Sequence, residues 1–161
     1  MTSITERGDN QRLERVDLDE GSLAALSPEQ DDERRVAIVD LIASNSFRPD
    51  GAERGPFALN LSTVEARLAL DVTGPGYERR FLLSRSPLRS VIKDYFMLCE
   101  SYYAAVRNAK SSQIEALDMG RRGLHNEGAA LLKERLQGKI AVDEDTARRL
   151  FTLICALHWR G

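Results

Sequence analysis

The residues of this 161-residue chain best suited to chemistry lie together in Asp118-Met119-Gly120-Arg121-Arg122-Gly123-Leu124-His125-Asn126-Glu127-Gly128. Guanidiniums grip anions with charge-assisted hydrogen bonds, and an imidazole exchanges a proton near neutral pH. The candidate binding set is therefore Arg121, Arg122, Gly123, His125, Asn126 and Glu127. On a regular helix, Arg121 and His125 fall on one border of an apolar stripe beside Asp118, and Glu127 falls on the other. An enzyme built here would act on a small anionic substrate, with His125 as acid or base, Glu127 or Glu100 as its partner and Arg121 as anion clamp. A non-catalytic module would instead dock a protein or an RNA-containing assembly on the Arg121 to Glu127 surface. A purely structural oligomer is a third reading. The competing structural account is that Asp118 pairs with Arg122 at i, i+4 while His125 bonds a neighbouring carbonyl.

The glycines of this segment separate these readings. Each glycine inside a helix costs roughly 1 kcal/mol relative to alanine, so Gly120, Gly123 and Gly128 place a conflict of about 3 kcal/mol in an uninterrupted helix. Leu117, Gly120, Leu124, Gly128 and Leu131 share one face, so Gly120 and Gly128 are expected to admit a close neighbour. Gly123 falls toward solvent, where packing offers no return; either the helix breaks there or a ligand or partner approaches the backbone. This lone solvent-side glycine among charges favours the non-catalytic binding or regulatory module over the enzyme.

The rest of the chain must position that segment. Residues 1–11 are polar and aperiodic and read as a mobile tail, leaving 12–161 as one domain. Leu13 to Leu18 carries a weak edge-strand pattern. Ser27-Pro28 with Glu29, Asp31, Asp32 and Glu33 opens a helix running to about Asn45, with Val36, Val39 and Ile42 at helical spacing and Ile38 and Leu41 widening the stripe. Phe47 to Pro56, with Pro49, Gly51, Gly55 and Pro56, reads as a loop. From Phe57 to Leu83 the period becomes two, giving three strands in a meander around Thr63 to Ala66 and Thr73-Gly74-Pro75-Gly76. Ser86-Pro87 begins a core helix with Leu88, Val91, Ile92, Tyr95, Leu98, Cys99, Tyr102 and Val106 as its stripe. Ser111 or Ser112 caps a helix reaching Gln137, stopped by Gly138. Asp143 begins a last helix burying Ala147, Leu150, Phe151, Ile154 and Leu157. The predicted fold is α+β: an antiparallel meander of three to four strands packed against about four helices in two layers of a single domain.

Other chemistries lack their residues. Twenty-three Lys and Arg face 25 Asp and Glu, a net charge of -2, which provides no global field for a nucleic-acid backbone or anionic membrane, and there is no DNA-binding signature. His125, His158, Cys99 and Cys155 are scattered, so no metal site and no cofactor is expected. His158 is expected to cap the last carbonyls or pack beside Trp159, with Arg160 near the helix end. Gly74-Pro75-Gly76 is a turn and not a phosphate loop, and Ser84 and Ser86 have no neighbouring histidine. Tyr95, Phe96, Tyr102 and Tyr103 are expected to pack and not to stack on bases. Cys99 and Cys155 sit in apolar runs, as reduced core thiols would, and no signal peptide or membrane-spanning run is visible. A cytoplasmic location is the expectation.

Three runs carry a resemblance: Lys93 to Tyr103, Ile114 to Gly128, and Asp145 to Trp159. They resemble a numbered uncharacterised protein family of alphaproteobacteria. The resemblance implies a small bacterial cytosolic protein and carries no activity, cofactor or catalytic residue onto these positions.

Overall fold

The computed structural model describes residues 10–23, 27–108 and 110–157. The tail segment 1–9 and His158, Trp159 and Arg160 lie outside the described residues. The chain runs β1 (Leu13–Leu18), a 3-10 turn (Glu20–Ser22), α1 (Pro28–Ala43), β2 (Phe47–Pro49), β3 (Phe57–Val64), β4 (Arg67–Gly74), β5 (Tyr77–Ser84), α2 (Ser86–Arg107), α3 (Ser111–Arg135), β6 (Ile140–Val142) and α4 (Glu144–Cys155). The fold is α+β around one hydrophobic core.

The meander forms as the period-two pattern requires. Leu59 pairs with Val72, Leu61 with Leu70, and Leu70 with Phe81, so apolar side chains line one face. The other face carries the row Asp17, Asn60, Asp71 and Arg80, in which Arg80 binds Asp71 at 2.6 Å. The fourth strand differs from an antiparallel meander. β1 joins β3 in parallel, giving a mixed sheet of order β1-β3-β4-β5, because α1 lies in the connection between them and a helical crossover returns the chain in the same direction. A register shift between Leu13 and Arg15 puts Leu13 and Val16 on the buried side together, although they are three residues apart.

Phe47 to Pro56 is not wholly a loop. Phe47–Pro49 pairs antiparallel with Ile140–Val142, a partner remote in sequence that no local pattern could announce. Helix α1 ends at Ala43 because the Asn45 side chain takes over: its amide donates to the Leu41 and Leu13 carbonyls (2.7 and 3.0 Å) and accepts from the Leu13 amide (2.7 Å). The start of α1 is the expected one, with Ser27 and Gln30 forming a reciprocal capping box. Asp143 caps α4 through the Thr146 amide. The serines expected to cap the two long helices do not. Arg85 and Lys110 occupy those cap positions without a side-chain capping bond to the helix, and Ser86 and Ser111 are already helical. Helix α3 stops at Arg135, and Gly138 follows at φ +81°.

Two helix faces also depart from the expectation. Helix α1 buries Ala37 and Leu41, flanked by half-buried Ile38 and Ile42, while Val36 and Val39 are 57% and 67% exposed. Small Ala37 allows close packing on α4, which rotates the valines outward. Val106 is likewise exposed, because α2 has passed the end of the core and Ala105 is buried in its place. Leu88, Val91, Ile92, Tyr95 and Cys99 form the buried α2 stripe, and Ala147, Leu150, Phe151, Ile154 and Leu157 are buried as expected.

Candidate functional site

Helix α3 is unbroken through all three glycines. At Gly128 an added Cβ would meet the Phe151 ring of α4, and at Gly120 it would stand 3.2 Å from Leu98 Cδ1 of α2. These two glycines let α3 pack closely against both neighbours. At Gly123 nothing lies within 4 Å, so the backbone there faces open space.

Arg121 is a tie between helices. Its guanidinium binds Asp118 at 3.0 Å and Glu33 of α1 at 3.2 Å, and it stacks 4.1 Å over the Tyr102 ring of α2. The Tyr103 hydroxyl donates a hydrogen bond to the same Glu33 oxygen. Burial opposes the Arg121 charge, but the Asp118 bond and the Glu33 carboxylate outweigh it and hold its pKa above the ordinary arginine range. Burial, followed by the bond to Glu33, pushes the Tyr103 phenol up. Arg121 therefore fastens α1, α2 and α3 together. Asp118 also takes Arg122 at 3.2 Å, the expected i, i+4 pair, with Arg122 itself largely exposed.

His125 is inserted between aromatic rings. Its centroid lies 5.3 Å from Tyr95 and 5.2 Å from Phe151, both edge-on. The Thr152 hydroxyl donates to the Arg148 carbonyl at 3.3 Å, leaving its oxygen to accept from His125 Nε2 at 2.7 Å. This chain assigns the proton to Nε2 and leaves Nδ1 an acceptor. Burial, then the Arg148 and Arg121 charges, push the His125 pKa down to about 4. The ring is thus neutral at neutral pH. Its partner is a threonine hydroxyl on α4, not the backbone carbonyl that sequence suggests; Glu127 and Glu100 are both exposed.

Arg121, Arg122, Gly123, His125 and Asn126 line one open concavity of about 500 Å³, completed by Arg148, Tyr95 and Met119. No carboxylate is among the described residues that line it, and Glu127 lies outside it. Asn126 and Arg148 also border a second hollow of about 740 Å³ along the α3–α4 seam, floored by Ala129, Ala130 and Ala147 and edged by Lys133, Glu134 and Glu144. Glu33, Tyr102, Tyr103, Arg148 and Thr152 were not singled out for the site from sequence. They come from three other helices, and only Arg148 and Thr152, themselves four apart, carry a spacing signal.

Cys99 and Cys155 are free and buried, and burial raises both thiol pKa values. Among the described residues no group of three or more His, Cys, Asp or Glu side chains is placed to hold a metal ion, and no helix is long and apolar enough to cross a membrane.

Fold and site together define a small α+β domain whose longest helix presents an arginine-walled hollow against its last helix. The chain belongs to the uncharacterised protein family UPF0262, whose model matches residues 10–160. It is 66% identical over 150 residues to a UPF0262 protein of Phenylobacterium zucineum, covering 93% of this chain and 94% of that one. It is 60% identical over 157 residues to one from Caulobacter vibrioides (98% and 99% covered), and 56% identical over 153 residues to one from Xanthobacter autotrophicus (93% of each). The family is thus a bacterial one, represented in alphaproteobacteria. No solved structure matches the chain.

Proposed function

We propose that this protein is a non-catalytic, cytoplasmic binding or regulatory module that docks an acidic segment of a protein partner along the α3–α4 seam, with the Arg121 to Asn126 concavity as its anchor. The observation that carries this reading is a wall holding three guanidiniums without a carboxylate, opened by a glycine whose outward face meets nothing. Arg122 and Arg148, exposed and held by one carboxylate each, are the groups free to turn toward an incoming anion. Arg121 shapes the wall while remaining tied to Glu33. The adjoining alanine-floored hollow of mixed charge suits the continuation of a peptide better than a phosphate backbone, which favours uniformly basic tracks.

A protein partner is favoured over an RNA-containing assembly by the state of the tyrosines. Single-stranded RNA is read by stacking on exposed aromatic faces. Here Tyr95 is buried, Tyr102 is covered by Arg121, and Tyr103 is bonded to Glu33. The enzymatic reading is disfavoured because a histidine with a pKa near 4, bonded to a threonine, is poorly matched to proton transfer at neutral pH. Buried, unpaired thiols support a reducing compartment.

The test is capture of the tagged full chain from its own cells, comparing wild type with Arg122→Glu/Arg148→Glu, each with and without nuclease. Arg121 is left intact because reversing it would break the three-helix tie. A protein retained after nuclease and lost on charge reversal is expected. Partners unchanged by the reversal would refute the reading, and partners lost with nuclease alone would shift it to an RNA-containing assembly.

A further inference from the structure

The arginine-walled concavity does not end at Asn126. Asn126 and Arg148 line both it and the hollow of about 740 Å³ beside it, so the two form one groove along the α3–α4 seam. The ends of this groove carry opposite charge. At one end stand the guanidiniums of Arg122 and Arg148, with no carboxylate among the described residues that line that concavity. At the other, Glu134 and Glu144 are set against Lys133 alone. Between them the floor is apolar, made by Ala129, Ala130 and Ala147.

The walls also select the conformation of an occupant. Both are α-helices that bond their backbone groups internally, so beyond the first turn of α4 they offer an extended peptide no backbone partner. A helix arrives with its own backbone already bonded. Gly123 and Ala130 lie on the groove side of α3 and leave room for a further helix: a Cβ at Gly123 would meet nothing within 4 Å, and Ala130 is small and exposed. We infer that the docked segment is an amphipathic helix of the protein partner, with a carboxylate toward one end of its contact face, a basic residue toward the other, and small or apolar side chains between. The inference rests on the docking reading above, to which it adds the secondary structure and charge pattern of the segment.

Helix geometry gives the spacing. At about 1.5 Å per residue, Arg122 and Glu134 stand about 18 Å apart along α3, and Arg148 and Glu144 about 6 Å apart along α4. The two charged ends are therefore centred about 12 Å apart, which is about eight residues of helix. A carboxylate and a basic residue about seven or eight positions apart share one helix face, and the side chains about three or four positions in lie between them over the alanines.

The test uses the full chain in its own cells with Gln137→benzoylphenylalanine, a photoreactive group at the exposed far end of the groove. Mass spectrometry identifies the crosslinked segment, and that segment as a synthetic peptide is titrated against the full chain by fluorescence anisotropy. The peptide is expected to carry the charge pair at that spacing. A proline placed midway between the pair should weaken it about a hundredfold. Ala130→Trp, which fills the groove, and Glu134→Lys/Glu144→Lys, which reverses its acidic end, should each weaken binding about tenfold. All three positions are exposed, and circular dichroism checks that the variants are folded. If no protein is crosslinked, or if affinity is unchanged by Arg122→Glu/Arg148→Glu, the docking reading itself falls. A peptide that is lost on that reversal but tolerates the proline, Ala130→Trp or Glu134→Lys/Glu144→Lys leaves the docking reading standing and overturns the helix. A crosslink to a second copy of this chain would also overturn the inference.

Discussion

His125 offers the sharpest test of the site's physics. In the unfolded chain a histidine titrates near 6.5, and in the fold this one is held at about 4, chiefly by burial beside Tyr95 and Phe151 and secondarily by Arg148 and Arg121. The fold thus favours the neutral ring. Between pH 6.5 and 4 the unfolded chain binds the proton more readily, so stability falls as pH is lowered through that window. The loss is complete below about 4. From the two pKa values it amounts to about 2 kcal/mol between pH 7 and pH 5, and about 3 kcal/mol by pH 4. Urea unfolding followed by far-ultraviolet circular dichroism at pH 7 and 5, on wild type and His125→Gln, isolates the contribution. The glutamine amide can still donate to Thr152, and carboxylate titrations common to both proteins cancel. Wild type should lose about 2 kcal/mol more than the variant over this interval. Proton NMR of the folded wild type should show one histidine signal, absent from His125→Gln, still unprotonated at pH 5. A His125 that titrates between 6 and 7 in the folded protein, or equal pH slopes in the two proteins, would refute the burial argument and reopen His125 as a proton-transfer group.

The glycines of α3 predict opposite effects from one substitution. Gly123→Ala should stabilise by about 1 kcal/mol, since nothing within 4 Å opposes the methyl, and should still weaken partner capture if the concavity is used. Gly128→Ala drives a methyl into the Phe151 ring and should cost about 1 to 3 kcal/mol in chemical denaturation; equal effects at both positions would be wrong. The three-helix tie predicts that Arg121→Ala and Glu33→Ala each cost about 2 kcal/mol, with a coupling of about 1 to 2 kcal/mol in the double-mutant cycle; additive losses would show that the ion pair across α1 and α3 contributes nothing.

Sequence alone determined much of this protein, because much of it rests on short-range rules. Side-chain period sets the meander and most of the helix faces, Ser27 and Asp143 start their helices through their own hydroxyl and carboxylate, and the spacing of Gly120, Gly123 and Gly128 separates two packing glycines from one exposed to solvent. The same spacing pairs Asp118 with Arg122 and brings Arg121, Arg122, Gly123, His125 and Asn126 to one surface. Only the tertiary structure decided which of those groups are free. Arg121 is consumed by Glu33 and Tyr102, His125 is turned to Thr152 and neutralised by burial, and Arg148 arrives from another helix to complete the wall. The valines of α1 make the same point: their periodicity fits a buried stripe, yet Ala37 packs inward and rotates them out. Periodicity tells which residues share a face, but the direction of that face, and the charge state of what it meets, depend on neighbours brought from distant parts of the chain.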